Sequence, residues 1–479
     1  MTENITAETA RPPKKRRRWL RRIGWTLLIL IAVALVVRLV AGLVTEHALN
    51  ARLDALRAAG EPLRMTELAP PEVAPERNAA VLYGQAFVFM GLLPDCTMNR
   101  IATLSDARKP LTPTELDEAR ALLAQSADAL RLIREGTTRP ECRFPLKYDT
   151  EPLMGMLLPH LGRQRAAARL LSLFAEVNLA EGKPDAAVED CAEIFRLARA
   201  LHDEPILISM LVEMANENIG RRRLEAVLDR SEPSAEALAK LQPLLAVTAD
   251  RERVRRLMRG ERTFGIDAFE LILDHPTQAT SWVAALSSYS AAPPPPKQAW
   301  MPEPPLTARI FSGTLVWVFR PVIVNDFSAY LDLMGREIEL VGKPWRETRD
   351  SWRAIEQEMN DMNRCTHPIT RTILPALGRV SEGFECNFAG RECAKTALAL
   401  RLYRLKHGAY PDGLGSLAPE LLPSVPKDPF ADAQLVYRRE GAGFVLYSVG
   451  LNGTDDGGVA PPGGTWANKE GDIVFRSSR

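Results

Sequence analysis

The sequence has few of the residues that usually build catalytic and metal sites. Histidine and cysteine occur only six times each in 479 residues, and the histidines are scattered rather than grouped at the short spacings that bind a metal. No zinc-protease, nucleophile-elbow, phosphate-loop or dinucleotide-binding motif is present. No motif therefore supports an enzymatic function. The sequence gives more information on the architecture of the protein and on its cellular location.

A net charge of one sign is also lacking. Lysine and arginine number 61 against 60 aspartates and glutamates, a formal charge of +1, which gives no reason to expect nucleic acid as a partner. The charge is nevertheless uneven, because residues 1–22 hold eight basic residues and two acidic ones. Aromatic residues make up only 6% of the chain, whereas alanine, leucine, arginine and glutamate are abundant, which favours a mainly α-helical protein.

One long apolar run follows the basic segment of residues 1–22, which we interpret below as a cytoplasmic tail. Residues 23–44 are interrupted only by Arg38, and a helix of that length extends about 33 Å, enough to cross the hydrocarbon core of a bilayer. We expect Arg38, near the outer end, to extend its side chain to the interface. The basic residues predict a cytoplasmic N-terminus. No other stretch is taken as long and apolar enough to cross a bilayer. The sequence therefore predicts a single-pass bacterial inner-membrane protein with a periplasmic C-terminal region. The alternative is that the apolar run is a cleaved signal peptide.

Residues 45–290 show mainly helical patterning, broken by clusters of prolines. The clearest signal lies between Leu161 and Leu201, where two amphipathic runs flank Gly182. The pair resembles one tetratricopeptide unit, in which Gly182 turns the chain and Ala187 is small where two helices cross. An ordinary antiparallel helical hairpin explains the same pattern, and the sequence leaves both interpretations open.

Proline separates this domain from the next helical segment. Residues 291–306 include seven prolines and predict a semi-rigid linker or an exposed loop. Helical patterning returns in residues 307–384, and a further helix is expected from about Pro375 to His407. Gly408 is placed to end that helix in the left-handed conformation.

Residues 385–479 differ in character from the rest of the chain. Glycine becomes denser, and period-two patterns replace helical ones. Residues 435–437 and 444–449 predict two strands joined by a tight turn, and residues 472–475 supply a short third strand. The predicted fold is therefore mainly α, with one transmembrane helix, an exported helical domain and a small C-terminal α+β domain that consists of a helix and a three-stranded antiparallel sheet.

The C-terminal segment contains a collinear series of motifs. They are the helix 394–407, Gly408-Ala409-Tyr410-Pro411, the segment 414–422, Asp428-Pro429-Phe430, Leu435-Val436-Tyr437, Tyr447-Ser448-Val449-Gly450-Leu451-Asn452-Gly453, Gly457-Gly458 and Asp472-Ile473. In this order they resemble the periplasmic head domain of the major pseudopilin of type II secretion systems. The resemblance implies that fold for the C-terminal domain, and an association with type II secretion or a pseudopilus-like assembly.

The chain as a whole departs from that family in two ways. In the pseudopilin the membrane helix continues directly into the head, whereas here residues 45–384 lie between them. Gly24-Trp25-Thr26 is similar to the prepilin processing site, but Ile29 stands where the family has a glutamate that compensates a neighbouring subunit's new amino terminus. A divergent pseudopilin, whose mature chain would start at Trp25, is therefore an alternative to a protein that only carries a pseudopilin-like head.

The resemblance also implies a calcium site in the last loop. Asn452 and Asp472 occupy the positions of family ligands. Asp455, Asp456 and the backbone carbonyl near Leu451 would complete a cage of the oxygens that Ca²⁺ prefers. The alternative is a loop in which these residues only form turns.

The few cysteines leave one candidate disulfide. Cys386 and Cys393 are seven positions apart, and on one helix their backbones would lie about 10 Å apart, too far for a bond. Cys96 and Cys142 are the better candidate pair in a chain outside the cytoplasm. Free thiols are the alternative.

These features together predict a membrane-anchored, non-enzymatic envelope protein that mediates protein–protein interactions. Its expected partners are the lipid bilayer and envelope or secretion-system proteins. The alternative from another class is a ligand-binding protein or an enzyme. Its site would gather Glu141, Arg143, His160 and Arg163 in a deep pocket of the helical domain.

Overall fold

The computed structural model describes residues 14–107, 109–246, 250–279, 305–461 and 470–479. The helices of these residues are α1 (Lys14–Ala58), α2 (Ala79–Leu92), α3 (Asp95–Ser105), α4 (Pro113–Gln125), α5 (Ala127–Thr137), α6 (Pro159–Ala180), α7 (Pro184–Arg199), α8 (Leu207–Arg230), α9 (Ala235–Leu245), α10 (Arg251–Asp274), α11 (Leu306–Val341), α12 (Trp345–Asp361), α13 (Thr370–Ile373) and α14 (Pro375–His407). Strands β1 (Val436–Glu440), β2 (Gly443–Ser448) and β3 (Ile473–Ser477) form the sheet. The mainly helical fold with a small C-terminal sheet is confirmed. Most of the proline-rich linker lies outside the described residues.

Helix α1 begins within the predicted basic tail and continues well past the predicted span. It is one unbroken helix from Lys14 to Ala58. The large apolar side chains of residues 23–44 are exposed, whereas Leu49 and Leu53 are buried in the body of the protein. The membrane-span candidate and a core helix are therefore parts of the same rigid element.

Helices α6 and α7 form the antiparallel hairpin that the sequence predicts. Gly182 connects them with a φ of 73°, a conformation that only glycine adopts without strain. Ala187 is fully buried, and α8 packs against both members of the hairpin. The predicted helical pair is confirmed, and its assignment as a tetratricopeptide unit stays a prediction.

The C-terminal elements also follow their sequence signals. Helix α14 runs from Pro375 to His407, as predicted, and Gly408 ends it with a φ of 80°. The sheet has the order β1-β2-β3 with both pairs antiparallel, and Gly441, with a φ of 60°, lies in the turn between β1 and β2. The predicted helix and three-stranded antiparallel sheet are confirmed.

Two large apolar clusters cross the boundaries between the predicted segments. One joins α1 to α8, α10, α11 and α12, and contains Leu53 and Phe327. The other, which we call the C-terminal cluster, joins α6–α9 to α14 and the sheet, and contains Ala175, Leu398 and Phe475. The helical and C-terminal segments thus share cores, because each covers an apolar face of the other.

The candidate disulfide between Cys96 and Cys142 is not formed, and all six cysteines are free thiols, which is the alternative that the sequence left open. Glu141, next to Cys142, pairs with Asn78 immediately before α2, whereas Cys96 lies just beyond the end of α2. The intervening helix of 14 residues is about 21 Å long. Such a distance far exceeds the Cα separation of about 7 Å beyond which a disulfide cannot form.

Candidate functional site

Two helices in the described part of the chain are long and apolar enough to cross a membrane. The first comprises Arg21–Ala58 of α1, and the second is α11, Leu306–Val341. The expectation that no second stretch would qualify was wrong, because α11 intersperses its apolar residues with polar ones and so shows no single long run. A bent pair, α2 and α3 at 110°, gives a further candidate. Length and composition therefore confirm an N-terminal membrane-span candidate but allow more than one span.

Arg38 does not extend to the interface as the sequence suggests. Its Nε donates a hydrogen bond of 2.9 Å to the backbone oxygen of Trp317, and its guanidinium carbon lies 4.0 Å from the centre of the Trp317 ring. Pro321 explains this contact, because proline has no N–H to donate to the carbonyl four residues before it. Arg38 supplies the donor that α11 lacks, and its own charge is held against an aromatic face.

The five residues of the predicted calcium site lie in one loop region between β2 and β3. The Nδ2 atom of Asn452 donates to Asp456 at 2.8 Å. Asp455 accepts a hydrogen bond of 2.8 Å from a tyrosine hydroxyl on β2. The segment that follows Leu451 is thus closed by its own side chains, and Asp472 lies at its far end, directly before β3.

Asp472 is the buried member of this group, with no exposed surface. Its carboxylate accepts hydrogen bonds from the backbone N–H of Gly458 at 2.7 Å and of Asp456 at 3.4 Å. Burial raises the pKa of Asp472, although these N–H groups act in the opposite direction. Within the described residues, no group of three or more His, Cys, Asp or Glu side chains is arranged to hold a metal. Calcium binding stays a prediction from the resemblance.

A cleft of about 840 Å³ separates α8 from this loop, and we call it the α8 cleft. Its walls carry both signs of charge, with Arg222 and Asp229 on α8 and Arg476 on β3, and Val459 lies at its edge. Val459 is 62% exposed. The volume lies in the range of sites that hold a small ligand or a few residues of another chain.

Arg223, one of the residues that line the α8 cleft, belongs to a buried ion pair. Arg223 pairs with Glu176, donates from Nη2 to the Ser105 carbonyl at 3.0 Å and from Nε to the Ser172 hydroxyl at 3.2 Å. Arg230 also pairs with Glu176 at 2.8 Å. The set connects α3, α6 and α8. Nothing in the local sequence marks it, because Arg223 lies 47 positions from Glu176 and 118 from Ser105.

A second cavity, of about 770 Å³, lies between the end of α1 and the start of α10, and we call it the α10 cavity. Its wall includes His202, whose Nδ1 is 3.6 Å from Glu213 and whose Nε2 is 3.9 Å from Asp250. Arg253 pairs with Glu213 and donates to the His202 carbonyl at 2.8 Å. Burial works to raise the pKa of Glu213, but Arg253 and His202 hold it below its ordinary value. The wall of this cavity is mainly polar, and His202, Glu213, Asp250 and Arg253 form one connected set of charged groups.

The four residues of the alternative ligand site do not converge. Glu141 pairs with Arg77, Arg143 with Glu72, and His160 with Glu204, while Arg163 lies beside Gly91. Neither the α8 cleft nor the α10 cavity includes any of the four. The Nε2 atom of His160 lies 3.0 Å from a Glu204 oxygen, and Ser209 donates to the same carboxylate at 2.5 Å. His160 is therefore a paired core histidine.

Two carboxyl groups on α7 share one arginine. Arg134 of α5 donates to Asp190 at 2.5 Å and to Glu193 at 3.1 Å. Asn178 donates to Asp190 at 2.7 Å. Burial outweighs these contacts, raising the pKa of Asp190 to about 6 and that of Glu193 to about 7. Both groups therefore take up protons more readily in the folded protein than in the unfolded chain.

This arrangement makes the stability of the folded protein depend on pH. Because the folded state binds more protons, the free energy of unfolding falls as pH rises from the ordinary glutamate value of 4.5 towards about 7. Glu193→Gln cannot ionise, so between pH 4 and 8 we expect wild type to lose roughly 2 kcal/mol relative to this variant, allowing for solvent screening. Urea unfolding at several pH values measures the difference. Glu135→Gln, at an exposed site on α5, should follow wild type, and parallel profiles for wild type and Glu193→Gln would contradict the expectation.

Comparison with known proteins identifies no relative of this chain: no protein-family model, curated protein or solved structure matches it. The tetratricopeptide and pseudopilin resemblances accordingly stay predictions. Function is inferred from the membrane-span candidates, the α8 cleft and the residues that build them.

Proposed function

We propose that this protein is a membrane-anchored protein of the bacterial envelope that acts by binding other proteins and not by catalysis. The supporting observation is the continuity of α1, which exposes apolar side chains along residues 23–44 and then buries Leu49 and Leu53 in the core. A helix that is apolar on every face suits a hydrocarbon environment. The body is thus joined to the membrane by a rigid helix and lies close to the bilayer surface.

The orientation follows from charge. The basic residues of segment 1–22 precede the span, and such residues stay in the cytoplasm. The body, from residue 45 onward, then lies in the periplasm. The inner membrane is the bilayer that combines this orientation with a single N-terminal anchor.

The α8 cleft is the surface proposed for a protein partner. It lies between α8 and the loop of the pseudopilin-like segment, and its walls carry both arginine and aspartate side chains. Mixed charges at the rim of an interface favour orientation of a partner rather than affinity alone. The resemblance of the C-terminal segment suggests a partner in a secretion or pseudopilus-like assembly.

A ligand-binding role is the second candidate. It is favoured by the α10 cavity, where His202, Asp250 and Arg253 face a space large enough for a small polar molecule. Calcium binding by the last loop stays a prediction from the resemblance, and neither proposal depends on it.

Removal of residues 1–44 tests the anchor. We expect the full chain to stay with membranes during extraction at high pH, as integral proteins do. The shortened chain should lose most of this resistance, because the part of α1 that we propose to cross the bilayer is gone. Sedimentation followed by immunoblotting measures the distribution. A chain that lacks only residues 1–13 retains the whole apolar run and serves as the control. Unchanged resistance of the shortened chain would refute the anchor.

The interaction role is tested in the same membranes. Photoreactive benzoylphenylalanine in place of Val459, at the edge of the α8 cleft, should form a defined cross-linked species heavier than the chain itself. The same residue in place of Arg131, which is similarly exposed on α5, should not. Equal adduct patterns at both positions, or none at Val459, would count against the cleft as a protein-binding surface.

A further inference from the structure

The N-terminal half of α11 carries an apolar surface that the described parts of the chain leave uncovered. Seven large apolar side chains are exposed between residues 306 and 319, including Leu306 at 70%, Phe311 at 64% and Trp317 at 51%. The opposite face, with Ser312 and Val316, is buried. Soluble proteins rarely expose so dense an apolar patch without a partner that covers it.

Contacts with α1 fix the position of this surface along the membrane-span candidate. Arg38 contacts Trp317 at a separation of 279 positions, and Arg52 pairs with Asp332 at a separation of 280. A Cβ placed on Gly42 would lie 4.0 Å from Pro321, which again gives an offset of 279. The two helices therefore run parallel, and residues that lie side by side differ by about 279 in number. This offset places residues 306–319 beside residues 27–40, within the apolar run of α1.

We propose that residues 306–319 of α11 lie among the acyl chains of the bilayer, beside the span of α1. The inference rests on the proposed function, since the depth of α11 is measured against a membrane-spanning α1. A stretch of this length extends about 20 Å, which is less than the hydrocarbon thickness of about 30 Å. The occupant of the exposed apolar face is therefore lipid, the same occupant that surrounds α1 at the same level.

The C-terminal half of α11 does not share this environment. Val324, Phe327 and Met334 are buried in the cluster that α11 forms with α8 and α10. Asp326 is also buried, and accepts a hydrogen bond of 2.9 Å from the Ile369 N–H. The helix therefore does not cross the bilayer as a second complete span, but reaches into it with one half and supports the body with the other.

Four polar groups of residues 306–319 have partners within the protein, as a hydrocarbon environment favours. The carbonyl of Trp317 that Pro321 leaves free accepts from Arg38. Ser312 donates to the Pro276 carbonyl and Thr314 to the Ile310 carbonyl, both at 2.8 Å. Arg309, the one charged residue of this half, also has an interaction partner, and it lies one turn from the end of α11 that approaches the headgroups.

A photoreactive phospholipid tests the inference on the unmodified full-length protein. The chain is reconstituted into phosphatidylcholine vesicles in which a fraction of the lipid carries a diazirine near the end of its acyl chain. Irradiation and peptide mass spectrometry then locate the labelled residues. We expect labelling of the peptides that contain residues 23–37 and 306–319, on the order of tenfold above the peptide with Leu405, since only the first two face hydrocarbon. Leu405 is an exposed apolar residue of α14, at 43%, and is the matched control.

The outcomes separate the inference from the proposal on which it rests. Labelling of residues 23–37 without labelling of 306–319 would refute the insertion of α11 into the bilayer but would leave the proposal that α1 is a membrane anchor intact. Labelling of neither would overturn both. Equal labelling of 306–319 and the Leu405 peptide would also overturn the inference, because it would show that α11 meets lipid no more than an ordinary exposed surface does.

Discussion

Replacing Arg223 with methionine is expected to lower the free energy of unfolding by about 4 kcal/mol. The substitution keeps most of the side-chain volume but leaves Glu176, which is 1% exposed, without its main buried cation. It also removes the donors to Ser105 and Ser172, so that α8 loses its Arg223 hydrogen bonds to α3 and α6 and keeps the contact of Arg230 with Glu176. Urea unfolding of the full chain in detergent micelles measures the change.

A double variant identifies the cause of that loss. Glu176→Leu combined with Arg223→Met removes both charges, and we expect it to recover most of the stability, because a buried ion pair replaced by apolar residues is often close to neutral. Arg230, which is 23% exposed on its side chain, can then turn towards water. A double variant as unstable as Arg223→Met alone would show that the cost comes from lost packing and not from an unpaired carboxylate.

Replacing Gly260 with alanine is expected to destabilise the fold by about 3 kcal/mol. A Cβ at this position of α10 would lie 2.1 Å from the backbone oxygen of Pro205, well inside van der Waals contact. The Pro205 backbone cannot retreat easily, because Ile206 is buried and the Leu207 N–H donates to Glu261 at 3.1 Å. Thermal unfolding followed by circular dichroism measures the effect.

Gly162→Ala is the matched control for this substitution. It makes the same change within α6, but a Cβ there meets nothing within 4 Å. Alanine favours a helix over glycine by roughly 1 kcal/mol, so this variant should be slightly more stable than wild type. Equal stability of the two alanine variants would show that α10 does not approach the chain at Pro205 as closely as the structure places it.

The sequence predicts best those elements whose signals are local. Proline suits the first turn of a helix and glycine the left-handed residue after its end, and Pro375 and Gly408 bound α14 in this way. The α6–α7 hairpin follows from its amphipathic runs and from Gly182. The length of the apolar run 23–44 is likewise sufficient to indicate a membrane-span candidate.

Features that depend on distant residues could not be predicted in the same way. If α1 were the only helix in this part of the bilayer, Arg38 would extend to the membrane–water interface. It contacts Trp317 instead because α11 lies beside α1. Pro321 shows in sequence that one carbonyl of α11 needs a donor, but not which donor supplies it. The predicted loop residues around Asp472 do gather, yet the N–H groups that engage them come from the backbone, which carries no sequence signal.

The C-terminal cluster bears on how the chain becomes ordered after synthesis. Ala175 and Phe475 belong to the same cluster, although about 300 residues separate them, so β3 is synthesised long after α6. Until it arrives, the faces of α8 and α14 that contact β3 lack that cover, and exposed apolar surfaces of this kind promote aggregation. A chain that ends before β3 leaves these faces of α8 and α14 open, and we expect it to aggregate more readily than the full chain.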